Sequence, residues 1–301
     1  MSDHPRIVRD EDALTVLVGD VGIARYVTRP EAPAVEAPKP YLHPLRTLSG
    51  APLTGYRPWD HRWHKGLQMT WSHVSGQNFW GGPTFVRGRD YQWLDNVGSM
   101  RHEGFDTLTG QGGEVTVTES LTWVSSVGER WVEETRSHRF HSVDHGRGLW
   151  ALDFSTSLTN RRGRALELGS PTTHGRPNAG YTGLFWRGPR SWTGGAVTSA
   201  TGRTGADVMG TEADWIAFSG QHDGIDGGAT VIAYAGTSSG AVPVRWFVRS
   251  EPFPVFCPSP AFAEEITLAP GDTLGLNHRL VFVDRICTPD EAAALAKEHT
   301  P

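Results

Sequence analysis

Cysteine is nearly absent from this chain: Cys257 and Cys287 are the only thiols in 301 residues. They are too few for a disulfide scaffold and too dispersed for a thiolate zinc site, and they suit a reducing, cytoplasmic setting. Long apolar runs are missing as well. No stretch approaches the ~18 consecutive apolar residues that span a bilayer, and the opening MSDHPRIVRDEDALTV has no apolar signal core, so a soluble chain without a membrane partner is expected. Positive charge is in deficit. A net charge of -5 and a pI near 6.2 give no field that draws a protein to phosphate backbones, which excludes nucleic acid as an expected partner. No glycine-rich phosphate loop occurs, which argues against a nucleotide cofactor.

What is abundant is glycine (36), proline (20) and tryptophan (12), set among short apolar runs. That pattern predicts an all-β protein of many strands joined by turns, and the length suits one antiparallel β-sandwich domain over residues 1–301. LTVLVG and GIARYVT read as two strands about Asp20, and PEAPAVEAPKP (30–40) as an extended surface connection. EVTVTESLTWVSS alternates, with Val115, Val117, Leu121 and Trp123 on one face. Glu119 interrupts that apolar row, so it must pair with a cation or carry a raised pKa. WVEETRSHRFHSV puts Glu134, Arg136 and His138 on one face with Val132 and Phe140, and LWALDFSTSLTN puts Asp153 and Ser155 opposite an apolar row. A sheet with one apolar and one polar face is expected to cover a core and line a groove. Thr288, Pro289 and Glu291 spell the capping box of a short C-terminal helix.

The chemistry gathers in residues 41–82. His43, Asp60, His61, His64 and His73 are interleaved there with Arg46, Lys65 and the indoles of Trp59, Trp63, Trp71 and Trp80. Histidine titrates near neutrality and is the commonest nitrogen ligand of metals. His61 and His64, three apart, can converge, and Asp60 can orient one ring. Adding His43, or His174 from the later loop SPTTHGRPNAGYTGLFWRGPRSW, makes a three-nitrogen site possible. A divalent metal (zinc, manganese or iron) on His61, His64 and His174 is therefore a candidate cofactor beside direct acid–base use of the same rings. Aromatic faces stack on sugar C–H faces while polar side chains read hydroxyls, so a small carbohydrate is the expected substrate. Proton transfer falls to His61, His64 and His174, with Glu119 or Glu134 as a further carboxylate. Substrate contacts are assigned to His43, Arg46, Asp60, Lys65, Asn78, Trp80, His102, Tyr181 and Trp186, and Arg46 and Lys65 would steady an oxyanion.

KPYLHPLRTLSG (39–50), WDHRWHKGL (59–67) and NFWGG (78–82) together resemble the bacterial family that carries the name methane oxygenase PmoA. That family shows a Tyr-hydrophobic-His-Pro element, here Tyr41, His43 and Pro44. It also shows an Asp-His-Pro-His-His-Arg/Lys-Gly element, here Asp60, His61, His64, Lys65 and Gly66. Its Asn-Phe-Trp-Gly element falls on Asn78 to Gly81. Arg62 and Trp63 depart from the pattern, standing for the usual proline and the first paired histidine. Because no segment can span a bilayer, what the resemblance implies is a soluble, curved sandwich of the galactose mutarotase kind, in a family whose members commonly sit beside sugar oxidoreductases and sugar-uptake genes. The leading expectation is an enzyme acting on a sugar or oxidised (keto) sugar, by epimerisation or ring opening, elimination or hydrolysis. The alternatives are a metal-dependent oxidoreductase and a non-catalytic carbohydrate-binding protein.

Overall fold

The alternation of Glu114–Val124 does what period two requires: Val115, Val117, Leu121 and Trp123 are all buried. In the computed structural model, which describes residues 4–239 and 242–301, that strand belongs to a nine-stranded antiparallel sheet. Its main path runs Ala196–Ser199, Trp215–Gln221, Gly228–Tyr234, Thr273–Val283, Leu149–Asn160, Arg130–Asp144, Glu114–Val124 and Ser99–Gln111, with Thr237–Ser238 pairing onto Thr273–Val283. An eight-stranded antiparallel sheet runs Arg6–Arg9, Ala13–Val18, Val21–Val27, Tyr41–Leu45, Leu67–Trp71, Thr182–Arg187, Val255–Ser259 and Arg245–Arg249. The two pack face to face as a β-sandwich. Their inner faces share one apolar cluster, to which Leu14, Met69 and Leu184 come from one sheet and Val117, Phe154 and Leu280 from the other.

Most of the tryptophan is core. Trp71, Trp123, Trp150, Trp186, Trp192 and Trp246 are fully buried, and burying each indole contributes roughly 2–3 kcal/mol. The ring N–H of Trp71, Trp150, Trp186 and Trp246 donates to the carbonyl of Gly169, Arg46, Leu53 and Ala213 respectively. Buried indoles need such partners, which is why they sit where strands leave carbonyls free. Trp186, expected at a substrate, is one of these core residues.

Two apolar clusters lie outside the sandwich interior. On the nine-stranded sheet's outer side, Leu149, Ile232 and Val281 are covered by Ala292 and Leu295 of the helix Pro289–Glu298, whose Thr288–Glu291 capping box is complete. The polar face predicted for Leu149–Asn160 lines a cavity of about 480 Å³ with Asp153 and Ser155, beside this helix. On the eight-stranded sheet's outer side, Trp80, Phe185, Phe247 and Val255 gather with Trp63, Tyr181 and Phe253. That cluster is the seat of the candidate site. Among the described residues no helix is long and apolar enough to cross a membrane.

The proline-rich segment is not a surface connection throughout. After a 3₁₀ turn at Ala34–Glu36, residues Glu36, Ala37, Lys39 and Pro40 are buried. Lys39 Nζ donates to the carbonyls of Ala37 (2.8 Å) and Trp80 (3.0 Å), so the segment is fastened inward by a cation that composition alone would place in water.

Gly66 lets the histidine loop rejoin the sheet. Its φ is +59°, and a Cβ would stand 2.1 Å from the carbonyl oxygen of Leu42. Gly66→Ala is expected to destabilise the chain by more than about 2 kcal/mol, read as the midpoint of urea denaturation, and a neutral effect would refute the close approach.

Candidate functional site

The floor of the site is made by strand alternation. In Thr182–Arg187, Leu184 and Trp186 face the sandwich core, which turns Phe185 and Arg187 outward. In Arg245–Arg249, Trp246 and Val248 face the core, which turns Phe247 and Arg249 outward. Arg187 and Arg249 are both in register with Val255 on the strand between them. Two guanidinium-bearing residues therefore flank one apolar strand on the same face of the sheet.

The walls are loops. Residues 57–66 form a hairpin loop in which Arg57 N–H donates to the His64 carbonyl (2.8 Å) and His64 N–H to the His61 carbonyl (2.9 Å), projecting Asp60, His61, Trp63 and His64. Opposite, the Asn78 carboxamide oxygen accepts from the N–H groups of Trp80 and Gly81, an Asx turn that presents Trp80. Gly82 (φ +69°) leaves room for the Trp63 indole, whose atoms would lie 2.6 Å from a Cβ there. Tyr91 comes from the strand Asp90–Gln92 and Trp93 from just after it, while Arg176 and Tyr181 come from the loop before Thr182–Arg187. Together they enclose a cavity of about 430 Å³, within the range of small-molecule sites.

His61 and His64 stack, centroids 4.8 Å apart and planes 29° from parallel. His61 Nδ1 lies 3.3 Å from Asp60 Oδ2, near enough to orient the ring by charge although not aligned as a hydrogen bond, and Asp60 also takes Arg190 at 3.1 Å. Burial holds the His64 imidazole well below its usual pKa, helped by His61 and Arg187; burial also lowers His61, with Asp60 opposing. Both rings are thus biased to the neutral form that can accept a proton. In the same lining the Tyr91 and Tyr181 hydroxyls meet at 2.5 Å, and Arg176 donates to Tyr91. Burial pushes the Tyr181 phenol well above its ordinary value, so it remains a neutral donor. Arg187, 1 % exposed, stacks at 4.0 Å on Phe253, and burial brings its pKa down to about 10 against the pull of Asp60.

Of the residues expected at the site, Asp60, His61, His64, Trp80 and Tyr181 line this cavity. The others stand elsewhere. His174 stacks on His73 at 4.1 Å, each ring also within hydrogen-bond reach of a main-chain carbonyl, Ser170 for His174 and Phe85 for His73. It does not join His61 and His64. The proposed metal set is therefore not assembled, and among the described residues no group of three His, Cys, Asp or Glu side chains is disposed to hold a metal. His43 pairs with Thr54 and stacks on Tyr56, with burial driving its pKa down to about 4. Arg46 donates to the Gly50 carbonyl, and Asn78 is occupied by its turn. Glu119, Glu134 and His102 belong to a network inside the sandwich. Glu134 accepts from Trp123, Arg136 and Thr156, and Glu119 accepts from Tyr26 and lies 2.5 Å from His102 Nδ1. The wall residues Tyr91, Trp93, Arg176, Arg249 and Phe253 were not picked out from sequence; the alternation of VRWFVRS about Trp246 and Val248 was the available signal for Arg249.

Lys65 serves the loop, not a substrate. Its ammonium, 1 % exposed, lies 3.1 Å from Glu36, whose carboxylate also takes Arg57 through Nε at 2.8 Å. Glu36→Ala leaves the Lys65 charge buried without its partner and is expected to cost about 3 kcal/mol or more, measured by denaturant unfolding; a loss below about 1 kcal/mol would contradict the clamp. Glu119 gives a pH signature. Burial lifts its carboxyl from 4.5 to about 8, Arg136 opposing, so the folded chain keeps a proton that the unfolded chain releases. This contribution to stability is whole below about pH 4.5 and is lost as pH rises to about 8. Glu119→Gln, neutral throughout, should flatten the fall in Tm between about pH 5 and pH 8, and an unchanged slope would count against a protonated Glu119.

The profile of a family of unknown function, DUF6807, matches residues 13–297. A comparison with curated proteins returns no match. Among solved structures, the chain is similar to a galactose mutarotase related enzyme from Lactobacillus acidophilus, with 8% identity, 94% of this chain and 100% of that one covered, and a TM-score of 0.36. It is similar to the GalM/aldose epimerase homologue from C. elegans, with 10% identity, 93% and 98% covered, and a TM-score of 0.34. It is also similar to a TPR-domain containing protein from Parabacteroides distasonis, with 8% identity, 94% and 48% covered, and a TM-score of 0.35. By the match over residues 13–297, this chain belongs to the family of unknown function DUF6807.

Proposed function

We propose that the chain is an enzyme that moves a proton on a sugar or oxidised sugar bound in the aromatic pocket. The observation that carries this reading is the stacked His61–His64 pair, biased to its neutral form, on the wall of a cavity lined by Trp63, Trp80 and Trp93. Indole faces offer plates for the apolar side of a sugar ring, and a neutral imidazole beside Asp60 offers a base whose charge, once it takes a proton, the carboxylate stabilises. His61 is the group assigned to touch substrate. His64, 5 % exposed, backs it by ring contact. Tyr181, which lines the same cavity and is kept protonated by burial, is our candidate donor to a substrate oxygen. A base and a donor lining one cavity suit ring opening, epimerisation or β-elimination, all of which pass a proton at one atom while an oxygen gains charge at another. The oxidoreductase reading attached to the methane oxygenase name is less favoured, because it needs a ligand set that His61 and His64 do not complete with His174.

The test is turnover of a panel of aldoses, ketoses and oxidised sugars followed by proton NMR, which separates anomer exchange, epimerisation and elimination. His61→Gln is expected to lower kcat by about 10²–10⁴-fold with binding nearly kept. The acid limb of the parent kcat/KM profile should fall below the usual histidine value of 6.5, since burial lowers His61. Sugar binding without turnover in the parent chain would instead make it a carbohydrate-binding protein.

A further inference from the structure

The pocket is richer in guanidinium than a neutral sugar needs. Arg176 and Arg249 line it, and among the described residues neither pairs with a carboxylate. Arg187 stands on the same sheet face, across Val255 from Arg249, with both terminal nitrogens buried and unbonded. The one carboxylate in the lining, Asp60, is already engaged by Arg190. Two guanidiniums in the lining, and a third buried against Phe253, thus stand with one carboxylate that is already paired, in a chain whose net charge is -5. Guanidinium only donates, whereas sugar hydroxyls need acceptors as well as donors, so the lining is matched to a ligand that brings its own acceptor oxygens.

We infer that the ligand of this pocket carries an anionic group, the carboxylate of a sugar acid or the phosphate of a sugar phosphate, received between Arg176 and Arg249 with Arg187 behind them. The inference rests on the sugar reading above and narrows its substrate class. Arg249 stacks on Phe247 (5.1 Å) and Arg176 on Tyr91 (4.8 Å), so each guanidinium plane is held by a ring that itself lines the cavity. Such pre-set forks can bind a carboxylate or phosphate through paired hydrogen bonds.

Titration calorimetry on the full chain, supported by quenching of pocket tryptophan fluorescence, tests it with four families of probe. These are hexuronates, their neutral hexuronamides, the parent hexoses, and hexose 6-phosphates. At least one hexuronate or hexose phosphate is expected to bind about ten- to hundredfold more tightly than its neutral counterpart, and a rise in salt should weaken it. Preference for the hexuronate identifies a carboxylate, and preference for the phosphate identifies a phosphate. Arg249→Gln and Arg176→Gln should each weaken hexuronate or hexose phosphate binding by a larger factor than neutral-sugar binding, so that most of the preference is lost, and Arg249→Lys should restore only part of it. Unchanged melting temperatures show that the variants fold. Neutral sugars binding as tightly as the acids and phosphates, or arginine variants that keep the preference, would overturn the anionic group and leave the sugar reading standing. Failure of every probe to bind would overturn both.

Discussion

The buried carboxylate of Glu36 closes the histidine loop at both ends, and the pocket depends on it. Arg57 enters the loop and Lys65 leaves it, and both cations meet Glu36. A loop bearing two half-hidden imidazoles would otherwise have to be ordered by apolar contact alone, against the backbone entropy of about ten residues. The clamp explains why the proline-rich segment turns inward: it has to deliver a carboxylate beneath the loop. Lys39 then fixes that segment to the turn bearing Trp80. Two walls of the pocket are thus tied through one short stretch of chain.

Strand alternation divides the labour between the faces of the eight-stranded sheet. Leu184, Trp186, Trp246 and Val248 fill the sandwich, and their neighbours Phe185, Phe247 and Arg249 line the site while Arg187 backs it against Phe253. A slip of one residue would bring guanidiniums into the core and indoles into the cavity, so packing of the core also holds the register of the site. The nine-stranded sheet follows a different logic. Its inward Glu119, Glu134 and Arg136 are satisfied by one another and by Tyr26, Trp123 and Thr156, a closed network in which one carboxyl is kept protonated. Buried polar groups of this kind signal a satisfied interior as readily as a working site.

That distinction marks what the sequence could reveal. The all-β class, the alternation of Glu114–Val124 and the capping box are local patterns with a fixed period or spacing, and each is visible in the letters. The pairing of His61 with His64 was legible for the same reason, since three residues in a tight loop cannot separate far. His174 was not, because a histidine distant in sequence can be placed only by tertiary packing, and here His73 occupies its ring face. Trp186 misled because indoles serve both cores and sugar sites, and only strand parity separates Trp186 from Phe185. Tyr91 went unseen because an isolated tyrosine in a short strand carries no local sign of the wall it will join, whereas for Arg249 the parity of VRWFVRS gives the face but not the partner walls.

The guanidinium behind the proposed anion site also bears on the two imidazoles. Arg187 lowers the pKa of both His61 and His64, beyond what burial does. Both imidazoles are therefore biased to the neutral form partly by an unpaired guanidinium. An anion received between Arg176 and Arg249, in front of Arg187, would offset part of that field and make the histidines more basic in its presence. Proton uptake would then be favoured in the complex over the free chain, which is the direction catalysis requires. Under the proposed chemistry Asp60, held by Arg190 and with its pKa lowered, would stabilise an imidazolium at His61 without itself competing for the proton.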